Sequence, residues 1–145
     1  MLRGIPEILS PELIKCLMEM GHGDEIVIAD RNFPAYSKGR QTLRCDGVTI
    51  PALLSAIIPM FPLDEAVEYN YILMDVPKEL DFVPSVWEKY RRIIETSPDL
   101  YLPPLKLEKP DFYARSENAF AVLITGEKER FANVILRKGI IRKEE

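Results

Sequence analysis

Histidine is almost missing from this chain: its 145 residues contain one, His22. Cysteine is scarce too, with Cys16 in a helical pattern and Cys45 beside a turn-like CDG. One histidine and two separated cysteines do not make a transition-metal ligand set, so neither a structural zinc nor a catalytic transition metal is expected. The isolated cysteines read as reduced thiols and not as a disulfide framework. No apolar run approaches the roughly 20 residues of a membrane span. The opening MLRGIPEIL is too short in its apolar part, and too broken by Gly and Pro, to read as a signal peptide. The expected location is therefore the cytoplasm. A basic excess is lacking as well: the net charge is −4 with both signs interspersed, which argues against a nucleic-acid partner. No G-x-G-x-x-G is completed before a helix, and there is no G-x-x-x-x-G-K-[ST] and no G-x-S-x-G. These absences remove nucleotide-dependent and serine-hydrolase chemistry.

What is present is an ordinary globular balance, 47% apolar and 29% charged. The length predicts one domain over residues 1–145, large enough to bury a real core. SPELIKCLMEMG is the clearest helix. Ser10 can accept from the free amides of the first turn, Pro11 suits the first helical position, and Gly21 is expected to supply a left-handed end. EIVIAD is a strand with no polar alternation, so both its faces are expected to be buried. A short strand in QTLRC, a helix in PALLSAIIPMF, a strand in EYNYILMDV and a helix in VPSVWEKYRRIIETSP follow. Residues 98–111 are proline-rich and read as irregular, yet their leucines predict an ordered segment packed on the surface. PDFYARSEN is a short helix, and AFAVLITGE and NVILRKGII are strands. Alternating helices and apolar strands predict an α/β fold, a single compact domain with a central helix-covered β-sheet.

Three places carry candidate chemistry. His22 lies between Gly21 and Gly23, where the backbone can bend and a ligand can come close. An imidazole is the side chain suited to both donating and accepting a proton in one turnover. Its bland alternative is a loop residue capping the carbonyls of the preceding helix. Asp30 ends an apolar strand, and ligands bind at the carboxyl ends of strands in open α/β sheets. A carboxylate there can take hydrogen bonds from two adjacent sugar hydroxyls; the alternatives are an Asx turn or a surface pair with Arg31. Phe131-Ala132-Asn133 follows a charged turn. An aromatic ring can lie against a sugar face while an amide serves its hydroxyls, against the alternative of a core phenylalanine and a turn asparagine. The helix carrying Trp87 and Tyr90 reads as core packing. An extended strand separates His22 from Asp30 by ~15–20 Å. Either the GHG loop folds back, or the two belong to sites completed by different subunits.

Taken together, SPELIKCLMEMGHGDEIVIADRNFPA, LLSAIIPMFPLD and FYARSENAFAVLITGEKERFANVILRKG resemble the ribose pyranase and L-fucose mutarotase family. The resemblance spans nearly the whole chain, and FYAR…AFA…TGE looks like the fucose branch. It implies interconversion of the α and β anomers of a free monosaccharide, L-fucose by preference, without a cofactor. It also implies a homo-oligomer, often a decameric ring, with active sites built between subunits. By resemblance His22 matches the catalytic histidine and Asp30 the substrate-binding aspartate. Lys109 stands where the fucose branch has arginine, and Phe131, Ala132 and Asn133 stand where the family has Tyr-Gly-Asn. The phenolic hydroxyl is thus missing, with Tyr36, Tyr113 or water as replacements. The alternatives are D-ribose pyranase activity and a sugar-binding oligomer without catalysis.

Overall fold

The computed structural model describes residues Met1–Glu145. Helix α1 (Pro11–Glu19) starts where the Ser10 hydroxyl accepts from the Leu13 N–H at 3.1 Å, with Pro11 in the first turn. Its far end differs from the expectation. Met20 is extended, and the left-handed residue of the GHG loop is Gly23 (φ +87°) and not Gly21. The helix is closed instead by Lys138, whose ammonium donates to the Leu17 and Met20 carbonyls at 2.6 Å each. A cation at a helix C-terminus meets both the dipole and the unpaired carbonyls.

Strands β1 (Glu25–Ala29) and β2 (Thr42–Cys45) follow, then helix α2 (Ile50–Ile57), whose last turn tightens into a 3-10 turn at Ile58–Met60. Strand β3 (Tyr71–Met74) and helix α3 (Val86–Ile94) lead to β4 (Leu105–Leu107). Strand β4 is the ordered core of the proline-rich segment, which the sequence reads as irregular. Its three residues pair in parallel with β3, and prolines flank the pairing without interrupting it. Helix α4 (Lys109–Asn118) and strands β5 (Ala121–Thr125) and β6 (Val134–Arg137) complete the chain.

The sheet has six strands in the order β2-β5-β1-β6-β3-β4. Strands β1, β5 and β2 are mutually parallel, as are β3 and β4, while β6 runs antiparallel to both of its neighbours. Five strands therefore point one way and β6 alone points the other. Alternation sorts the side chains. Ile26, Ile28, Leu123, Val134 and Leu136 join α1, α2 and α3 in the larger core. Val27, Ala29, Val122, Ile124 and Ile135 face Phe112 of α4 on the other side. Helices cover both faces, which is why EIVIA carries no polar alternation. The expected α/β architecture is the one found.

Past its last residue, β6 stays sandwiched. Lys138 bridges Leu63, Asp64 N–H donates to the Arg137 carbonyl at 3.1 Å, and Gly139 N–H donates to the Pro62 carbonyl at 2.8 Å. On its other side, Gly23 N–H donates to the Lys138 carbonyl at 2.8 Å. Gly139 makes this possible. A Cβ there would lie 2.6 Å from the Leu63 carbonyl carbon and 2.9 Å from Asp64 Cα, both backbone atoms. Gly139→Ala is expected to destabilise the fold by about 1–3 kcal/mol through overpacking. The denaturant midpoint measures it, and a change below about 0.5 kcal/mol would contradict this packing.

Candidate active site

The lone reversal of β6 sorts the sequence candidates onto two opposite ends of the sheet. At one end lie the carboxyl termini of the five parallel strands and the start of β6. Asp30 N–H donates to Asn133 Oδ1 at 2.8 Å, so the residue after β1 is tied to the residue before β6. Asp30 is buried, and its Oδ1 accepts from the Asn32 N–H at 2.8 Å, so the Asx turn is also present. Burial pushes the Asp30 carboxyl above the ordinary carboxylate range, and the charge of Glu127 adds to this against hydrogen bonds from Asn32 and Asn133.

Phe131 adopts φ +56°, a left-handed conformation costly for an aromatic residue. Two side chains of α3 hold this turn. Trp87 Nε1 donates to the Phe131 carbonyl at 3.2 Å, and the Tyr90 hydroxyl donates to the Ala132 carbonyl at 2.8 Å. Both rings pack with the core as expected, and their polar atoms also brace the candidate segment, which periodicity does not reveal. Ala132 and Asn133 are buried, whereas Phe131 is half-buried with Phe82 at 6.4 Å between ring centroids. Glu127, buried beside them, accepts from Ile50 N–H at the start of α2 and from the Lys128 and Glu129 N–H groups.

Lys109 opens α4 just past β4, at the same end of the sheet. Its ammonium lies 5.5 Å from the Tyr113 ring centroid, and Tyr113 meets Phe33 edge-on at 5.3 Å. A cleft of about 390 Å³ opens beside it, lined by residues 75–79 and 108–110. Tyr36, by contrast, is mostly exposed.

His22 lies at the other end. It does not cap α1, a task that falls to Lys138. It lines a cavity of about 260 Å³ with Leu63, Asp64, Glu65, Ala66, Ile140 and Arg142. Its Nε2 is 3.3 Å from Asp64 Oδ1. Arg137 Nε donates to Asp64 Oδ2 at 2.9 Å, and Arg137 Nη1 lies 3.7 Å from Glu25. Arg115 donates to both Glu25 oxygens at 2.8 Å and to the Tyr69 hydroxyl at 3.2 Å. Burial works against the Asp64 charge, but hydrogen bonds from Ala66 N–H, Arg137 and His22 outweigh it and hold the carboxyl below its ordinary range. Within one chain, then, Asp30, Lys109, Phe131, Ala132 and Asn133 share an end, and the length of β1, about 17 Å, separates them from His22. No group of three or more His, Cys, Asp or Glu side chains is arranged to hold a metal ion.

Residues 3–141 match the model of the RbsD / FucU transport protein family. The chain belongs to that family. Among its relatives, the L-fucose mutarotase of Haemophilus influenzae strain 86-028NP is 42% identical over 140 residues, 97% of each chain. The fucose mutarotase of Homo sapiens is 44% identical over 146 residues, 97% of this chain and 94% of that one. A crystal structure of the fucose mutarotase of Streptococcus pneumoniae in complex with L-fucose superposes with a TM-score of 0.92, at 45% identity over 97% of this chain and all of that one. Family membership accounts for the unbroken order of motifs from SPEL to RKG.

Reasoning on local sequence misses Asp64, Arg137, Glu25 and Arg115. One signal was available: Arg137 is a charge at the end of the apolar run NVILR, and a charge that enters a core needs a partner. The Asp64 carboxylate binds protons less readily folded than unfolded. Its stabilising contribution is complete above the unfolded-state value of about 3.9 and is lost as pH falls through the lower folded-state value. The stability gap between wild type and Asp64→Asn should accordingly shrink on acidification below about pH 4. Urea midpoints at several pH values measure the gap, and one that widens in acid would contradict the assignment.

Proposed function

We propose that this chain is an L-fucose mutarotase, a sugar isomerase that interconverts the α and β anomers of the free sugar. The observation that carries this reading is its 42–45% identity, over 97% of the chain, to fucose mutarotases, one of them solved with L-fucose. In this reading His22 is the proton donor, and Asp30, Lys109, Phe131, Ala132 and Asn133 bind the sugar. Ring opening breaks the bond between C1 and the ring oxygen. His22 gives a proton to that oxygen while the anomeric hydroxyl passes its own to a base, which is water, Asp30 or a side chain of the neighbouring subunit, leaving an aldehyde at C1. Rotation about the C1–C2 bond and closure on the other carbonyl face return both protons and yield the other anomer. No atom is gained or lost, so the chemistry requires no cofactor.

The two-ended layout supports a site completed between subunits, with the His22 end of one chain meeting the Asp30 end of another. Ile140, which lines the His22 cavity, and Ile141 after it are 58% and 73% exposed, an apolar rim that a neighbouring subunit would cover. A ring of subunits, decameric in this reading, satisfies that geometry. No helix is long and apolar enough to cross a membrane, and both cysteines are free, which supports a cytoplasmic location.

Magnetisation exchange between the α and β anomers of L-fucose tests the reading. Wild-type protein should accelerate exchange, and His22→Ala should lose about 10²–10⁴-fold of the acceleration while keeping the assembled mass in sedimentation. No acceleration by the wild type would overturn the fucose reading. The same experiment on D-ribose would then separate a pyranase from a sugar-binding oligomer without catalysis.

A further inference from the structure

We infer that Asp64 is a positioning residue for His22, fixing which imidazole nitrogen faces the sugar. This rests on the mutarotase reading and extends it to a residue outside the candidate set. Asp64 comes from the segment after the 3-10 turn, 42 residues from His22, and its side chain is only 3% exposed. Each of its oxygens is occupied. Oδ2 accepts from Arg137 Nε at 2.9 Å, and Oδ1 accepts from Ala66 N–H at 3.0 Å and faces His22 Nε2 at 3.3 Å. A carboxylate paired with a guanidinium has only acceptors to offer. The imidazole must therefore present Nε2–H to Asp64, which leaves Nδ1 as the nitrogen free for the sugar.

The surroundings enforce this polarity. The segment bearing Asp64 is pinned to β6 by the Asp64 N–H and Gly139 N–H bonds, and the GHG loop is pinned to β6 by Gly23 N–H. Dyad and backbone thus hang on one strand. Arg137 leans toward the GHG loop as well, with Nη2 3.3 Å from where a Cβ on Gly23 would stand. The remaining charges are engaged elsewhere: Glu65 with Arg142, Asp24 Oδ2 with Gly21 N–H, and Lys138 with the α1 carbonyls. Asp64 is the carboxylate on the ring. With Nε2–H held there, Nδ1 gains and loses the catalytic proton, and the carboxylate stabilises the imidazolium between turnovers.

Asp64→Asn reverses the polarity. Its amide oxygen is drawn to the charged Arg137, so the NH₂ group takes the place of Oδ1 and gives up the bond from Ala66 N–H. That group turns to His22, which must offer Nε2 as an acceptor and carry its ring proton on Nδ1. Because His22 is the only histidine, two-bond ¹H–¹⁵N spectra of the intact assembly report its tautomer without assignment. The wild type should show the Nε2–H form and Asp64→Asn the Nδ1–H form. Fucose exchange at saturating sugar should fall about 10²-fold or more in the variant, with the half-saturating concentration changed less than threefold. An Nδ1–H wild type overturns the inference whether or not the variant folds. So does a variant with reversed tautomer and undiminished exchange, or one that loses exchange with its tautomer unchanged. Wild-type protein that is silent on fucose yet shows the Nε2–H form and its reversal would instead strike the mutarotase reading and leave the dyad standing.

Discussion

Strand β6 runs against the five strands around it, and its hydrogen bonds on both edges hold the sheet together. Without it, β2-β5-β1 and β3-β4 are two separate parallel ribbons, each with an edge open to solvent. The reversal also decides what meets at each end. The start of β6 brings Asn133 to Asp30, and its end brings Arg137 and Lys138 to the GHG loop and the Asp64 segment. One strand thus anchors both groups of polar residues and keeps them apart.

The two ends are built differently. Around Asp30 the chain buries polar groups and satisfies them with backbone: Asn32 on Asp30, Ile50 on Glu127, Asp30 on Asn133. Burial without a facing cation favours the neutral acid, and the Asp30 carboxyl moves upward. Around His22 the buried Asp64 and the half-buried Glu25 alternate with Arg137 and Arg115, and the Asp64 carboxyl moves downward. Breaking one member of such a chain would leave a buried charge unpaired, so its cost exceeds that of an exposed pair. The first end thus favours the protonated acid at Asp30, and the second favours the carboxylate at Asp64.

Several residues serve as both scaffold and candidate chemistry. Asp30 closes an Asx turn and ties β1 to β6, and it is also the carboxylate proposed to hold the sugar. Tyr90 and Trp87 fill the core with their rings and hold the Phe131–Ala132 carbonyls with their polar atoms. That bracing keeps Phe131 in a left-handed conformation that an aromatic residue rarely adopts. The shape of this turn is therefore set by α3 and not by the Phe131 ring itself. Tyr113 packs through Phe33 against the segment after Asp30, whereas Tyr36 is mostly exposed.

Local physics written into the chain determined its elements: Ser10-Pro11 starts α1, the unbroken apolar run of EIVIA predicts a strand covered on both faces, and the stripe of Val86, Tyr90 and Ile94 faces α3 inward. It also marked the GHG loop, Asp30 and Asn133, because glycines, strand ends and amides have recognisable roles at short range. The end of α1 escaped this logic, since its cap is Lys138, more than a hundred residues away. So did β4, whose three residues become a strand only by pairing with β3. Asp64 escaped for the same reason. Nothing local distinguishes it from Glu65 beside it until β6 draws one carboxylate beneath His22. Periodicity and caps act over a few residues and are legible in sequence. Partners set by strand order are long-range, and only the folded sheet decided that His22 stands with Asp64 and apart from Asp30.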